Sequence, residues 1–222
     1  MARLGMAALL ALAGMAVIGG WQFATAWTPS KRTYPLQGLD LGENPPAAEW
    51  PTVRAAGADF AYQVATAGTD REPSFEANWS ALPEAGLRRG AVHLYSLCRP
   101  ARAQANAFNV VVPAAGDALP AAVDLSFRDD CAARPDRDTL VADVRRFITT
   151  VEAHTGKPML LRVSRAVEAR YRLSAAIERP IWAMASGFAP GYAARPWRLW
   201  RASGIHRVRG IEGPVNWDVV AP

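Results

Sequence analysis

Cysteine and histidine are scarce in this chain of 222 residues. The two cysteines, Cys98 and Cys131, are too few for a disulfide-built scaffold, and their spacing is not that of a zinc site. The three histidines, His93, His154 and His206, are far apart in the sequence, which argues against a histidine-rich metal site. We therefore predict that the protein uses neither a metal ion nor another cofactor.

Long runs of basic charge are also missing, although the net charge is +5. Lys31 and Lys157 are the only lysines among the 25 basic residues, and the arginines cluster in nothing longer than pairs such as Arg88-Arg89. Because 20 acidic residues balance this charge along the chain, we predict a solvated surface and no nucleic-acid partner. A mildly basic surface is compatible with an anionic polymer such as cell wall.

Disorder and low complexity are excluded by composition, since 50% of the residues are hydrophobic and 20% are charged. The first 26 residues differ from the rest: residues 4–20 form an uncharged apolar run that is typical of a secretory signal. Ala24-Thr25-Ala26 offers a cleavage site, and the alternative is an uncleaved membrane anchor over residues 4–26. We therefore expect an exported protein, periplasmic or at the cell surface. It would consist of a leader (1–26), a short linker (27–35) and one monomeric domain (36–222).

Export also affects the interpretation of the two cysteines. An oxidising compartment allows Cys98 and Cys131 to form a disulfide. Each cysteine follows a stretch with a strand pattern, so we expect the bridge to join neighbouring loops at one end of a sheet. The alternative is a pair of reduced, buried cysteines.

From residue 36 onward, short apolar runs alternate with longer amphipathic ones, which predicts alternating strands and helices. Strands are predicted at residues 36–41, 59–66, 90–97, 121–127, 158–164, 181–186 and 197–203, and in a last segment through Val219. Helices are predicted at residues 74–85, 99–112, 138–154 and 164–173. Five β-α units followed by three bare strands indicate a single α/β, TIM-like barrel of eight strands. The alternation predicts a parallel sheet whose functional end lies at the carboxyl ends of the strands.

Carboxylates and indole rings gather at those predicted strand ends. Asp40 closes the first strand, Asp124 lies in the fourth, and Asp218 lies near the end of the last. The last strands also carry tryptophans, at Trp182, Trp200 and Trp217. Rings that stack on sugars, next to acids that contact hydroxyls or the glycosidic oxygen, are typical of a carbohydrate site. The alternative for each residue alone is an ordinary structural role: a helix cap or core packing.

Two strands also place pairs of polar side chains on shared faces, because side chains alternate along a strand with a period of two. His93 shares a face with Tyr95 in the third strand, and Asp124 shares a face with Ser126 in the fourth. Ser126, His93 and Asp124 are the residue types of a nucleophilic hydrolase. However, no Gly-x-Ser-x-Gly elbow surrounds Ser126, which argues against that chemistry. His93 also fits the alternative of a hydrogen-bonded core histidine.

Several segments resemble the lysozymes of glycoside hydrolase family 25, the Chalaropsis-type N-acetylmuramidases. The resemblance runs from Gly38 to about Val219, and its segments are GLDL (38–41), FAYQVATAGTD (60–70), FEANW (75–79), AGLRRGAVHLY (85–95), PAAVDLSF (120–127) and GIEGPVNWDVV (210–220). It implies a (β/α)5(β)3 barrel. It also implies an enzyme of cell-wall catabolism that hydrolyses the β-1,4 bond between N-acetylmuramic acid and N-acetylglucosamine in peptidoglycan.

Four motifs depart from the family pattern. The Asp-x-Glu motif that ends the family's fourth strand, whose Glu is taken as the general acid, is Asp124-Leu125-Ser126 here. The Ala-Thr-Glu-Gly of the second strand is Ala65-Thr66-Ala67-Gly68, and the last-strand Asp-x-Asn is Asn216-Trp217-Asp218. The Trp-Gln pair of the seventh strand is Trp200-Arg201.

The resemblance nevertheless assigns roles to residues at matching positions. It implies that the catalytic group comprises Asp40, Asp124 and, at the position of the missing Glu, Ser126. The substrate-binding residues that we predict from it are His93, Tyr95, Trp182, Trp200, Asn216 and Asp218.

The missing acid leaves two hypotheses open besides the serine hydrolase. A serine hydroxyl does not titrate near neutral pH, so it cannot replace a carboxylic acid whose assistance is worth about 10²–10⁴-fold. In one hypothesis, Glu43 or Asp129 supplies the acid and the enzyme still works. In the other, the protein is a pseudoenzyme that binds peptidoglycan, or a partner in the periplasm, without cutting. We expect weak or absent lysozyme activity.

Overall fold

A computed structural model of the chain describes residues 2–129 and 131–222, with side chains described from Leu12 onward. The described residues form nine strands: β1 (Gln37–Leu41), β2 (Phe60–Ala67), β3 (Asp70–Arg71), β4 (Arg88–Leu94), β5 (Ala122–Leu125), β6 (Leu160–Val163), β7 (Ile181–Met184), β8 (Trp197–His206) and β9 (Val215–Val220). They also form seven helices: α1 (Ala2–Ala26), α2 (Trp50–Ala55), α3 (Phe75–Glu84), α4 (Ala101–Val111), α5 (Arg137–Thr155), α6 (Arg165–Tyr171) and α7 (Leu173–Ala176).

Eight of the described strands close into a barrel, which confirms the prediction of an α/β barrel. The order around it is β1-β2-β4-β5-β6-β7-β8-β9, and β9 pairs with β1 to complete the circle. The two-residue strand β3 pairs only with the end of β2. The helices α2 to α7 follow strands β1 to β6, and no helix lies between β7, β8 and β9.

The direction of β9 differs from the expected all-parallel sheet. β9 is antiparallel to both β8 and β1, whereas the other barrel strands run parallel to their neighbours. The connection between β8 and β9 spans residues 207–214 and contains no helix. This connection is shorter than the dozen or so residues that a parallel crossover needs, so the last strand closes the barrel as a hairpin.

Each barrel strand is buried on both faces, and alternate residues point into the barrel or towards the helices. In β5, Ala122 belongs to the interior cluster, and Val123 and Leu125 pack beneath the helices. The interior cluster comprises Phe60, Tyr62, Val64, Val92, Leu94, Ala122, Leu160, Trp182 and Leu199. This alternation determines which polar side chains enter the barrel.

Two glycines make room for the aromatic rings inside the barrel. A Cβ atom at Gly38 would lie 2.6 Å from the ring of Phe60, and one at Gly90 would lie 2.2 Å from the ring of Tyr62. Real Cβ atoms do not approach other atoms so closely, so the two glycines allow Phe60 and Tyr62 to fill this end of the interior.

Helices begin and end where the sequence signals them. Asp136 caps α5, since its Oδ1 accepts a hydrogen bond from the Thr139 amide at 2.9 Å, and Gly156 ends that helix in the left-handed region. Ser164 caps α6 by accepting from the Val167 amide at 3.3 Å. Such caps fix where the helices meet the strands that carry the site.

A disulfide joins Cys98 and Cys131, as predicted. Cys98 lies between β4 and α4, and Cys131 lies between β5 and α5. Because β4 and β5 are parallel neighbours, the disulfide connects two loops at the carboxyl end of the barrel.

The N-terminal segment lies against the outside of the barrel. The Thr25 carbonyl, in the last turn of α1, accepts a hydrogen bond from the Arg207 amide at 2.9 Å. Beyond the helix, Trp27 and Tyr34 pack on Trp200. The side chains of residues 1–11, the first part of the predicted leader, lie outside the described residues. From residue 12 to the C-terminus, leaving out residue 130, no helix is long and apolar enough to cross a membrane.

Candidate active site

Three aspartates project into the barrel near the carboxyl ends of its parallel strands. Asp40 on β1, Asp124 on β5 and Asp218 on β9 are 1%, 6% and 0% exposed. The prediction from sequence named all three, and the structure brings them together through shared partners.

Arg162 on β6 connects two of these carboxylates. Its Nε donates to Asp124 Oδ2 at 2.5 Å, and its Nη1 donates to Asp40 Oδ1 at 2.9 Å. Its guanidinium also lies 4.8 Å from the ring centre of Trp182. The side chain is 4% exposed, so both ion pairs lie in the barrel interior.

Arg201 on β8 holds Asp40 from the other side. Its Nε donates to Asp40 Oδ2 at 2.9 Å and its Nη2 donates to Oδ1 at 2.6 Å, a bidentate arrangement. Asn216 Nδ2 adds a third donor to Oδ1, at 3.2 Å. Together with Arg162, these contacts occupy both oxygens of Asp40.

The arginines determine the protonation of the paired acids. Burial on its own would raise the pKa of Asp40, but the charges of Arg201 and Arg162 outweigh burial and lower that pKa below its ordinary value. Asp218 receives less compensation. Burial, followed by the negative charge of Asp40, raises its pKa well above 3.8. The protonated form of Asp218 is therefore favoured, and its Oδ1 accepts a hydrogen bond from Trp182 Nε1 at 2.8 Å.

This protonation predicts how stability depends on pH. The pKa of Asp218 is higher in the folded chain than in the unfolded chain, so wild-type stability falls as pH rises above about 3.8. Asp218→Asn keeps the shape of the side chain and removes the titration. We expect the variant to gain stability relative to wild type with rising pH, by at most about 1.4 kcal/mol per pH unit. Urea unfolding of both proteins between pH 4 and pH 8 measures the difference; a difference independent of pH would contradict a protonated Asp218.

Two arginines balance two of the interior carboxylates. Asp40 and Asp124 are paired with Arg162 and Arg201. A pair of carboxyl groups that must cleave a glycosidic bond needs one free to donate a proton and one free to face the sugar ring. Here the carboxylates face guanidinium groups instead.

Ser126 lies just beyond β5, two residues after Asp124, and is half-buried. Of the two acids considered as replacements for the missing Glu, Glu43 forms a bidentate ion pair with Arg128. Its two oxygens lie 3.0 and 3.1 Å from the arginine nitrogens. This pair joins the loop after β1 to the loop after β5 and engages the Glu43 carboxylate. Asp129 is exposed.

His93 and Tyr95 share a face of β4, and that face points towards the helices. His93 Nδ1 lies 2.7 Å from Thr66 Oγ1, its Nε2 lies 3.1 Å from Gln104 Oε1, and its ring stacks on Phe147. Burial lowers the pKa of His93 to about 4. Tyr95 packs edge-on against the same phenylalanine.

The serine-hydrolase hypothesis requires His93 to reach Ser126 and Asp124. His93 points out of the barrel, whereas Asp124 points into it, and both ring nitrogens already have partners. The structure does not bring the three residues together as a nucleophile, a base and an orienting acid.

The three tryptophans have different surroundings, and all are buried. Trp182 lies inside the barrel beneath Arg162. Trp200 points outward and donates to the Ala185 carbonyl at 2.6 Å. Trp217, also on an outward face, donates to Gln37 Oε1 at 2.8 Å. The three indole rings therefore pack within the protein and do not form an exposed surface on which a sugar could stack.

Sequence reasoning did not include Arg162 in the site, and it noted Arg201 only as a departure from the family pattern. A signal for Arg162 was available: LLRV is a buried strand pattern, and Arg162 alternates with Leu160. A buried arginine in a strand requires an acidic partner. Thr66 and Gln104, the partners of His93, carried no comparable signal.

Comparison with known sequences identifies similar proteins. The profile of Glycosyl hydrolases family 25 matches residues 39–211. The uncharacterized protein YegX of Escherichia coli is 29% identical over 195 residues, which cover 84% of this chain and 70% of YegX. Lysozyme M1 of Streptomyces globisporus is 39% identical over 59 residues, which cover 26% of this chain and 20% of that protein.

Solved structures show the same fold. A family 25 glycosyl hydrolase from Bacillus anthracis superposes with a TM-score of 0.79 at 23% identity, covering 87% of this chain and 91% of that chain. A bacterial lysozyme from Streptomyces coelicolor has a TM-score of 0.72 at 23% identity, covering 83% of this chain and 91% of that chain.

Proposed function

Because the chain belongs to glycosyl hydrolases family 25, we propose that it binds the glycan strands of peptidoglycan and hydrolyses them weakly or not at all. Its lysozyme-like domain accounts for the choice of ligand. We infer the low activity from the residues of the barrel interior, and we propose that the protein is a pseudoenzyme.

One observation carries the proposal: Asp40 and Asp124 are paired with Arg162 and Arg201, beside a serine at position 126. The arginines hold both carboxylates in ion pairs, and Ser126 cannot donate a proton as an acid does. The absent general acid alone accounts for a loss of about 10²–10⁴-fold in rate. The ion pairs add to that loss, because Asp40 is not free to stabilise positive charge at a sugar ring.

The same residues support binding without cleavage. Arg201 and Asn216 are partly exposed above the buried carboxylates, and Ser126 is half-buried beside them. These side chains offer hydrogen-bond donors and a hydroxyl to sugar hydroxyl and amide groups. Aspartates that are paired with arginines present less uncompensated charge to a neutral N-acetylated sugar than bare carboxylates would.

An active muramidase that uses Glu43 or Asp129 is the second candidate function. Two observations disfavour this candidate. The bidentate pair with Arg128 engages both oxygens of Glu43. Asp129 is exposed, outside the barrel interior that holds Asp40 and Asp124.

The location and the arrangement of the chain follow from the same proposal. We propose a (β/α)5(β)3 barrel in residues 36–222, exported behind residues 1–26 to the periplasm or the cell surface, and monomeric. The uncharged apolar run at residues 4–20 supports a signal peptide or an inner-membrane anchor. The role in cell-wall glycan recognition would place the domain outside the inner membrane in either case.

Purified peptidoglycan sacculi test binding and cleavage separately. We expect wild-type protein to sediment with sacculi and to release reducing ends at least about 10²-fold more slowly than a family 25 lysozyme. Ser126→Arg adds bulk at the opening of the barrel beside Arg201 and Asn216, and it should weaken binding about tenfold. Ser80→Arg, on the exposed face of α3, is the matched control and should bind like wild type.

Either of two outcomes would overturn the proposal. Folded wild-type protein that stays in the supernatant would exclude peptidoglycan binding through this domain. Release of reducing ends at the rate of the reference lysozyme would exclude the proposed loss of activity, and would favour the second candidate function.

A further inference from the structure

We infer a second binding site at the end of the barrel opposite the aspartates, for an aliphatic carboxylate. A cavity of about 240 Å³ opens there between the first residues of the strands. Its lining comprises Leu36, Asp59, Phe60, Tyr62, Arg88, Leu119, Pro120, Leu160, Arg198, Leu199 and Val220. The inference does not depend on the proposed glycan function, because the cavity lies away from the residues that carry it.

The walls of this cavity are apolar. Phe60, Leu160 and Leu199 belong to the interior cluster, and Leu36 at the cavity is 47% exposed. The hydroxyl of Tyr62 donates to the Pro120 carbonyl at 2.9 Å, so the polar atom of that ring is already used. An alkyl chain is the ligand that such walls favour, since they release water without losing hydrogen bonds.

Two arginines make the cavity basic. Arg88 begins β4, Arg198 is the second residue of β8, and both are exposed. Within the described part of the chain, neither forms an ion pair with an acidic side chain, which distinguishes them from Arg162 and Arg201. A guanidinium group is the preferred protein partner of a carboxylate.

The one acid that lines the cavity does not cancel this charge. Asp59 lies 3.2 Å from Arg54 Nη1 and 3.7 Å from Lys31 Nζ, and it accepts from the Gln37 amide at 3.2 Å. Arg54 and Lys31 therefore compensate the charge of Asp59. The charges of Arg88 and Arg198 remain available to bind a ligand.

Size and charge together indicate the ligand class. Small-molecule sites commonly enclose about 300–1,000 Å³, so a cavity of 240 Å³ fits one short alkyl chain rather than a whole lipid. An unbranched chain in the cavity would leave its carboxylate at the opening, where Arg88 and Arg198 lie. A sugar would find few hydroxyl partners among the leucine, valine and phenylalanine side chains.

Decanoate is the probe, titrated below its micelle concentration and followed by calorimetry. We expect saturable binding to wild-type protein with one site per chain. Arg88→Gln combined with Arg198→Gln should weaken decanoate binding at least tenfold, and Arg102→Gln, an exposed arginine on α4, is the matched control. Decanol, which has the chain without the charge, should bind the double variant and wild type equally.

A third variant tests the location. Val220→Phe places a larger ring at the half-buried edge of the cavity and leaves both arginines unchanged, so it should reduce decanoate binding at least tenfold. The far-UV circular dichroism spectrum checks that each variant is folded. The absence of saturable binding to wild type, or equal decanoate affinity in wild type and the double variant, would overturn the inference. Full affinity in Val220→Phe would also overturn it, because the ligand would then lie elsewhere.

Discussion

Replacing Arg162 by methionine is expected to lower the free energy of unfolding by about 3–5 kcal/mol. The substitution keeps much of the side-chain volume. It leaves Asp124 buried without its guanidinium partner and leaves Asp40 with Arg201 as its remaining guanidinium partner. Removing one partner of a buried ion pair costs far more than the pair contributes, because the remaining charge is not solvated. Urea-induced unfolding at pH 7 measures the loss.

Two further variants make this expectation specific. Arg102→Met removes an exposed arginine of α4 and should change stability by less than about 0.5 kcal/mol. The double variant Arg162→Met, Asp124→Asn removes the charge that is left without a partner and should recover part of the loss. A cost below about 1 kcal/mol for Arg162→Met alone would mean that water or another group compensates Asp124.

The second expectation concerns activity, and it distinguishes the effect of the missing acid at position 126 from the effect of Arg201. Ser126→Glu alone should release few reducing ends from peptidoglycan, because Arg201 still holds both oxygens of Asp40. Ser126→Glu combined with Arg201→Gln restores the family's residue types at both positions. We expect this double variant to exceed wild type by about 10²–10⁴-fold, the usual contribution of a general acid.

The matched control for that experiment is Ser126→Gln with Arg201→Gln, which has the same shape without the acid and should remain at the wild-type rate. Full activity in the single variant Ser126→Glu would show that the arginine pairing does not restrain Asp40. An inactive double variant that still sediments with sacculi would mean that the remaining geometry no longer supports hydrolysis.

The barrel could be predicted from sequence because two signals agree. Short apolar runs bounded by turns mark the strands, and the stripe of α5, which includes Val144 and Phe147, marks a helix that buries one face. Counting these units gives eight strands. The direction of β9 needed one further inference, that a connection over residues 207–214 has no room for a crossover helix.

The candidate site could be predicted only in part, for a reason that lies in the strands. Asp40 and Asp124 lie near the carboxyl ends of parallel strands, so their proximity followed from topology. The position of Asp218 did not follow, because β9 runs antiparallel to its neighbours. The face of His93 did not follow, because strands that are buried on both sides alternate between two apolar environments and not between polar and apolar ones. Periodicity paired His93 with Tyr95 and did not say whether the pair enters the barrel or faces α5.

The arginine pairing escaped prediction because it is a long-range effect. Asp40 and Arg162 are 122 positions apart, and Asp40 and Arg201 are 161 apart. Only the closed barrel brings β1, β6 and β8 to the same interior. The resemblance to the family predicts a missing acid at position 126. The ion pairs of Asp40 and Asp124 are visible only in the structure.

The segment between α1 and β1 has a practical consequence for anyone who trims this protein. Trp27 and Tyr34 cover Trp200, and the Gln37 amide group donates to the Pro29 and Tyr34 carbonyls at 2.8 and 2.9 Å. An expression fragment that begins at Leu36 would therefore lose part of the outer wall along with its leader. The indole of Trp200 would then be part of an exposed apolar patch on the outside of β8, and a recombinant fragment of that length would be prone to self-association. A fragment that begins at Trp27 keeps the wall closed.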